Sequence, residues 1–158
     1  MIFSMIKYLQ KAEVIRSTAA TPTSEHLFQV QDEKDRKFLP EEQAQNFHHN
    51  VAQILFLCMR ARPYIQLLVS FLTTRVRSPD KYDWRKLKRG LKYLKGTLYM
   101  KLYLSEDALN VVHWWVNASY GTHWDCRSHT GAVMSMGKGA ILTLSRKQKL
   151  NTASYTEA

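Results

Sequence analysis

The feature that most constrains this chain is a change of hydrophobic period at Gly96. Before it, apolar residues recur every three or four positions, the spacing of one helix face. Residues 41–61 carry Ala44, Phe47, Val51, Ile54, Leu55 and Cys58 in that pattern, behind a Pro40 suited to a helix's first turn. After Pro63, YIQLLVSFLTTRV reads as a second, mostly buried helix, and SPDKYD as a turn with Ser78 and Asp80 as cap candidates. WRKLKRGLKYLKGT is a third helix, with Gly96 as its stop. Beyond Gly96, LYMKLYLS and NVVHWWVNAS alternate, and GAVMSMG and AILTLSRKQ follow around Gly137 and Gly139. That pattern predicts three to four strands with glycine turns. The expected fold class is α+β: a helical N-terminal half, then an antiparallel strand meander.

The flanks are less regular. Residues 1–14 read as a short strand passing into a helix through Met5, Ile6, Leu9 and Val14; TAATPTSEH is a loop, and charges dominate from His26 to Leu39. In TASYTEA, Ser154 and Glu157 stand three apart, as in a capping box that opens a helix.

Charge narrows the function classes. Over 158 residues the formal net charge is +10, which points to a polyanionic partner, nucleic acid ahead of a membrane surface. A merely basic soluble protein is the alternative. The third helix concentrates the charge: Trp84, Leu87, Leu91 and Leu94 share one stripe, while Arg85, Lys86, Lys88, Arg89, Lys92 and Lys95 cover the other side with no carboxylate among them. This is either a phosphate-facing surface or a plain solvated face. Gly90 in its middle costs about 1 kcal/mol relative to Ala. A second cluster, Arg146, Lys147 and Lys149, is equally open to phosphate contact or to solvent.

Other candidates are weaker. His123, Asp125, Cys126 and His129 lie close together, but their spacing matches no zinc pattern, and a hydrogen-bonded turn explains them better. No metal site is expected. Of His48 and His49, one should face solvent and the other a groove; of Trp114 and Trp115, alternation should bury one. Two cysteines, Cys58 and Cys126, make no disulfide framework and suit a reducing compartment. MIFSMIKYLQ lacks a signal peptide's apolar run, and ILFLCM and LLVSFL are too short to span a bilayer. An intracellular protein, cytoplasmic or nuclear and without a membrane partner, is the expectation.

Four ordered blocks, AQNFHHNVAQILFLCMRARPYIQ, FLTTRVRSPDKYDWRKLKRGLKYLKGT, HWWVNASYGTHWDCRSHTGAVMSMGKGA and SRKQKLNTASYTEA, closely resemble the copia-type retrotransposon polyprotein. The resemblance runs from about residue 5 to the end. It implies residues 1–97 as the end of a reverse-transcriptase region and 98–158 as the start of a ribonuclease H region. Where that family reads like WxVDAS, its aspartate is the first ligand for paired magnesium ions that activate water. Asn117 stands at that position, and a neutral amide is a poor ligand for a hard cation. The family's catalytic glutamate, in a stretch like SSTEAEL, would follow Ala158; Glu157 fits the capping role. The polymerase's paired aspartates have no counterpart, since no Asp-Asp occurs. Tyr64 and Tyr155 are further departures, and all three fit single base changes in a decaying copy.

The resemblance thus implies a truncated ribonuclease H-like sheet without catalysis and without a cofactor of its own, the intact family using Mg2+. One sheet face should expose apolar side chains and favour association. Three functions follow: an inactive fragment that retains nucleic-acid affinity, for an RNA–DNA hybrid or other nucleic acid; a piece of an active polyprotein, partnered by the rest of it; or a co-opted basic binding module.

Overall fold

In the computed structural model, residues 17–149 are described; the strand-to-helix reading of residues 1–14 and the capping box at Ser154 and Glu157 lie outside them. Pro40 (φ −57°, ψ 154°) is the last extended residue before α1 (Glu41–Ala61). Glu41 and Glu42 in the first turn and Arg60 in the last complement the helix dipole. Phe47, Val51, Ile54, Leu57 and Cys58 form its buried face. Leu55, expected in that stripe, is exposed instead. It lies about 100° around the helix from Ile54, and Leu57, three residues on from Ile54, takes the inward position.

A 3-10 turn (Pro63–Ile65) reverses the chain into α2 (Gln66–Thr73), which buries Leu68, Val69, Phe71 and Leu72. The third helix, α3 (Lys81–Gly96), starts from a reciprocal cap. Asp80 Oδ1 accepts the backbone N–H groups of Tyr82 and Asp83, both at 2.8 Å, and Asp83 Oδ2 accepts that of Asp80 at 3.2 Å. Arg36 and Arg75 neutralise the two buried carboxylates, with Nε–Oδ2 distances of 3.2 Å to Asp80 and 3.0 Å to Asp83. Of the two cap candidates Asp80 is therefore the cap, while the Ser78 carbonyl accepts from Arg36.

Leu87, Leu91 and Leu94 are buried as their stripe requires, and Trp84 packs near Phe47. Gly90 has a role that propensity hides. A Cβ there would lie 2.2 Å from Leu68 Cδ2, so its absence is what lets α3 approach α2. The helix runs through Gly96 and is closed by Thr97, whose N–H and hydroxyl both reach the Tyr93 carbonyl.

Beyond α3, β2 (His113–Ser119), β3 (His129–Ser135) and β5 (Leu142–Lys147) form an antiparallel sheet in the order β2-β3-β5. A separate pair joins β1 (Ser105–Glu106) to β4 (Gly137–Lys138). The expected strand over LYMKLYLS is thus reduced to its end. Alternation makes an extended ribbon, but a strand also needs a backbone partner, and this ribbon meets one only at the glycine turn between β3 and β5. There it crosses closely: a Cβ on Gly139, whose φ is +79°, would sit 2.1 Å from the Tyr103 carbonyl oxygen.

Register places His113, Trp115, Asn117 and Ser119 on one face of β2, and Trp114, Val116 and Ala118 on the other. The first face meets the helices along β5, where Ser70 Oγ donates to the Ser145 carbonyl at 2.8 Å. Phe28 sits between Phe71 of α2 and the rings of His123 and His129. Contrary to expectation, neither Trp114 nor Trp115 is buried, because β2 is the sheet edge farthest from that seam. No helix among the described residues is long and apolar enough to cross a membrane.

Candidate nucleic-acid interface

Positions i, i+3, i+4 and i+7 share a helix face, and on α3 these are Arg85, Lys88, Arg89 and Lys92. They line one wall of a groove of about 450 Å³ whose other wall is Thr18, Ala19 and Ala20. No carboxylate lines it. Arg85 lies 5.2 Å above the Tyr82 ring, Lys88 lies 5.9 Å above Trp84, and Arg89 donates to Thr21 Oγ1 at 2.9 Å. These contacts hold the stems while leaving other N–H donors for a ligand. The rise from Arg85 to Lys92 is about 10.5 Å. Lys95, one turn beyond Lys92, is half-buried.

Lys86, expected on the solvated side, is buried. It belongs to the stripe of Asp83, Leu87 and Gly90 that faces α2. Its ammonium donates to the Gln29 carbonyl and lies 4.1 Å above the Phe71 ring. Burial pushes its pKa down to about 8, against the opposing pull of Asp83 and Asp80. The missed signal was Gly90: four residues on from Lys86, it marks the side on which α3 is covered.

The second basic cluster is split by the strand. Arg146 is exposed on one sheet face, Lys147 points from the other, and Lys149 is exposed beyond β5. Lys147 Nζ is 2.6 Å from Asp125 Oδ2, within an ion pair that Arg127 joins at 3.4 Å.

His123 and His129 are buried and bonded to each other, Nε2 to Nδ1 at 3.0 Å, and His129 Nε2 meets Ser145 Oγ at 2.7 Å. Burial, then His129 and Lys147, push His123 down to about 4; burial lowers His129 as well. Asp125 is engaged by Lys147 and Cys126 is exposed. Among the described residues no group of three or more His, Cys, Asp or Glu side chains is placed to hold a metal ion. His48 and His49 are both exposed, with His49 bonded to Gln53.

Asn117 lines a groove of about 530 Å³ between the sheet and the start of α2, shared with Tyr64, Gln66, Leu67, Trp115, His129 and Ser145. Its polar lining is neutral, with no carboxylate. Such a donor set does not fit a hard divalent cation, which binds through several oxygens, carboxylates first.

Among known proteins, no family model matches the chain, and no solved structure does. It is similar to the uncharacterized mitochondrial protein AtMg00810 of Arabidopsis thaliana, 30% identical over 113 residues. That match covers 71% of this chain and 47% of the relative, so the chain spans about half the relative's length.

Proposed function

We propose that this chain is a fragment of a copia-type retrotransposon polyprotein, from the end of its reverse-transcriptase region into its ribonuclease H region, that binds nucleic acid and does not cleave it. The observation that carries the binding is the carboxylate-free groove along Arg85, Lys88, Arg89 and Lys92. A phosphate backbone laid along α3 would exchange its counterions for these four cations, with little dependence on base sequence. Against cleavage, an amide stands at Asn117 where a ribonuclease H site needs a carboxylate, and the groove around it offers neutral groups. In this reading residues 1–97 and 98–158 are pieces of two polyprotein regions, the rest of the polyprotein is a partner, and the compartment is cytoplasmic or nuclear.

Fluorescence anisotropy of the chain against an RNA–DNA hybrid at several salt concentrations tests the binding. Four neutralised phosphates give a slope of log K against log salt of about −3 to −4. Replacing Arg85, Lys88 and Lys92 with Ala should flatten it to about −1. Equal binding and slope in the triple variant would refute this use of α3. The same experiment weighs the co-opted module, which requires both the binding and a stable fold. A reading as part of an active polyprotein requires the missing acids from elsewhere in that protein.

A further inference from the structure

We infer that Ser145, His129 and His123 form a nucleophilic-serine site that accepts the acyl group of small apolar esters, independently of the nucleic-acid reading. A serine becomes a nucleophile when a neutral imidazole takes its proton and a third group holds that imidazole in place. Ser145 Oγ is 2.7 Å from His129 Nε2, and His129 Nδ1 is 3.0 Å from His123 Nε2. With both rings neutral and Ser145 donating, His129 carries its proton on Nδ1 and gives it to His123. Phe28 packs on both rings, and the charged groups near His123 are Lys147 and Asp125, which are paired with each other.

The hydroxyl opens onto a built hollow. Ser145, Gly131 and Asn117 lie side by side across β5, β3 and β2 on one face. A Cβ at Gly131 would meet nothing closer than 4.0 Å, so the floor between Ser145 and Asn117 is open. The two flanking strands are about 9.6 Å apart, two inter-strand spacings, which admits a carbonyl group. Tyr64, Leu67, Trp115 and Val133 give the hollow apolar walls.

In the acyl step Ser145 Oγ bonds to the ester carbon while its proton passes to His129 Nε2. The C–O bond to the alcohol breaks, and the alcohol leaves with that proton. Water then gives a proton to Nε2 as its oxygen bonds to the acyl carbon; the Oγ–C bond breaks, Oγ takes that proton back from Nε2, and the carboxylic acid leaves. Ser145 and His129 are the catalytic residues and His123 a positioning residue.

The test treats the full chain with a fluorophosphonate probe, which loses fluoride as Oγ bonds to phosphorus, and locates the adduct by peptide mass spectrometry. Hydrolysis of p-nitrophenyl butyrate is followed in parallel. An adduct on Ser145, with hydrolysis lost by about 100-fold or more in Ser145→Ala, is expected. That variant keeps the backbone carbonyl that Ser70 uses, and circular dichroism verifies its fold. His123→Gln should slow labelling by about 10-fold or more and shift the acid limb of its pH profile. A folded chain with no adduct on Ser145, or hydrolysis unchanged in Ser145→Ala, overturns the site. An unchanged rate and pH profile in His123→Gln overturns the role of His123.

Discussion

In the helical half Phe47, Val69, Leu72, Leu87 and Leu91 are all at 0% exposure, whereas along β2 Trp114, Trp115 and Val116 stand at 55%, 56% and 68%. Both stretches are apolar; what differs is geometry. A helix presents one apolar stripe, and three stripes brought together at α1, α2 and α3 cover one another. A sheet has two faces and needs a cover for each. Here only the β5 side of one face is seated, by Ser70, Phe28 and the histidine pair. The lesson is that apolar content does not make a core; a second layer does.

A cavity in the better-packed helical half should have the largest effect. Leu91→Ala should cost about 2–5 kcal/mol in urea unfolding. A cost below about 1 kcal/mol would mean that the helical half is no better packed than a surface.

Acid should separate the two halves. His123 and His129 resist protonation when folded, so between their usual value of about 6.5 and the folded His123 value of about 4 the unfolded chain binds more protons. Their contribution is complete above the upper value and is lost as pH falls towards the lower one. Urea midpoints measured across that window should drop, with amide-exchange protection in β3 and β5 lost before the helical circular dichroism signal. A simultaneous loss of both signals would join the halves into one cooperative unit.

Gly90→Ala is a smaller and more discriminating change. Propensity alone makes it stabilising by about 1 kcal/mol. The 2.2 Å approach to a fully buried Leu68 reverses the sign, to a net loss of about 1–3 kcal/mol. A rise in thermal midpoint would show α2 and α3 to be loosely docked.

Val116→Lys, at the centre of the exposed edge, should alter stability by no more than about 0.5 kcal/mol. It should, however, reduce self-association in sedimentation velocity, because a charged edge strand resists pairing with another chain. If association is unaffected, β2 is not the adhesive surface.

Much of this fold is legible in single residues. Asp80 was recognisable as one of two cap candidates because it precedes a periodic run, and Leu87, Leu91 and Leu94 as core because one stripe admits one solution. The strands at NVVHWWVNAS, GAVMSMG and AILTLSRKQ were legible from alternation and glycine turns. Lys86 was not, since a lysine on a basic helix reads as solvated until Phe71 and Gln29 are found over it. Nor was the split of the second basic cluster, which depends on which face of β5 meets Asp125. The four cations of the α3 groove could be named from spacing, but the Thr18–Ala20 wall opposite them comes from a segment far away in sequence. The Ser145–His129–His123 chain was half visible: the histidines stood out as a cluster, while Ser145 joins them only through strand register.

Legible in the sequence were the three helices and the later strands, the two candidates for the cap of α3, the sign and location of the charge, and the amide at position 117. These depend on covalent order and on neighbours within a turn or two. Tertiary structure alone decided that Gly90 is a contact rather than a weakness, that Lys86 is buried, that LYMKLYLS pairs only at its end, and that both tryptophans of β2 remain exposed. Each of those depends on which distant backbone approaches, and local periodicity carries no record of that.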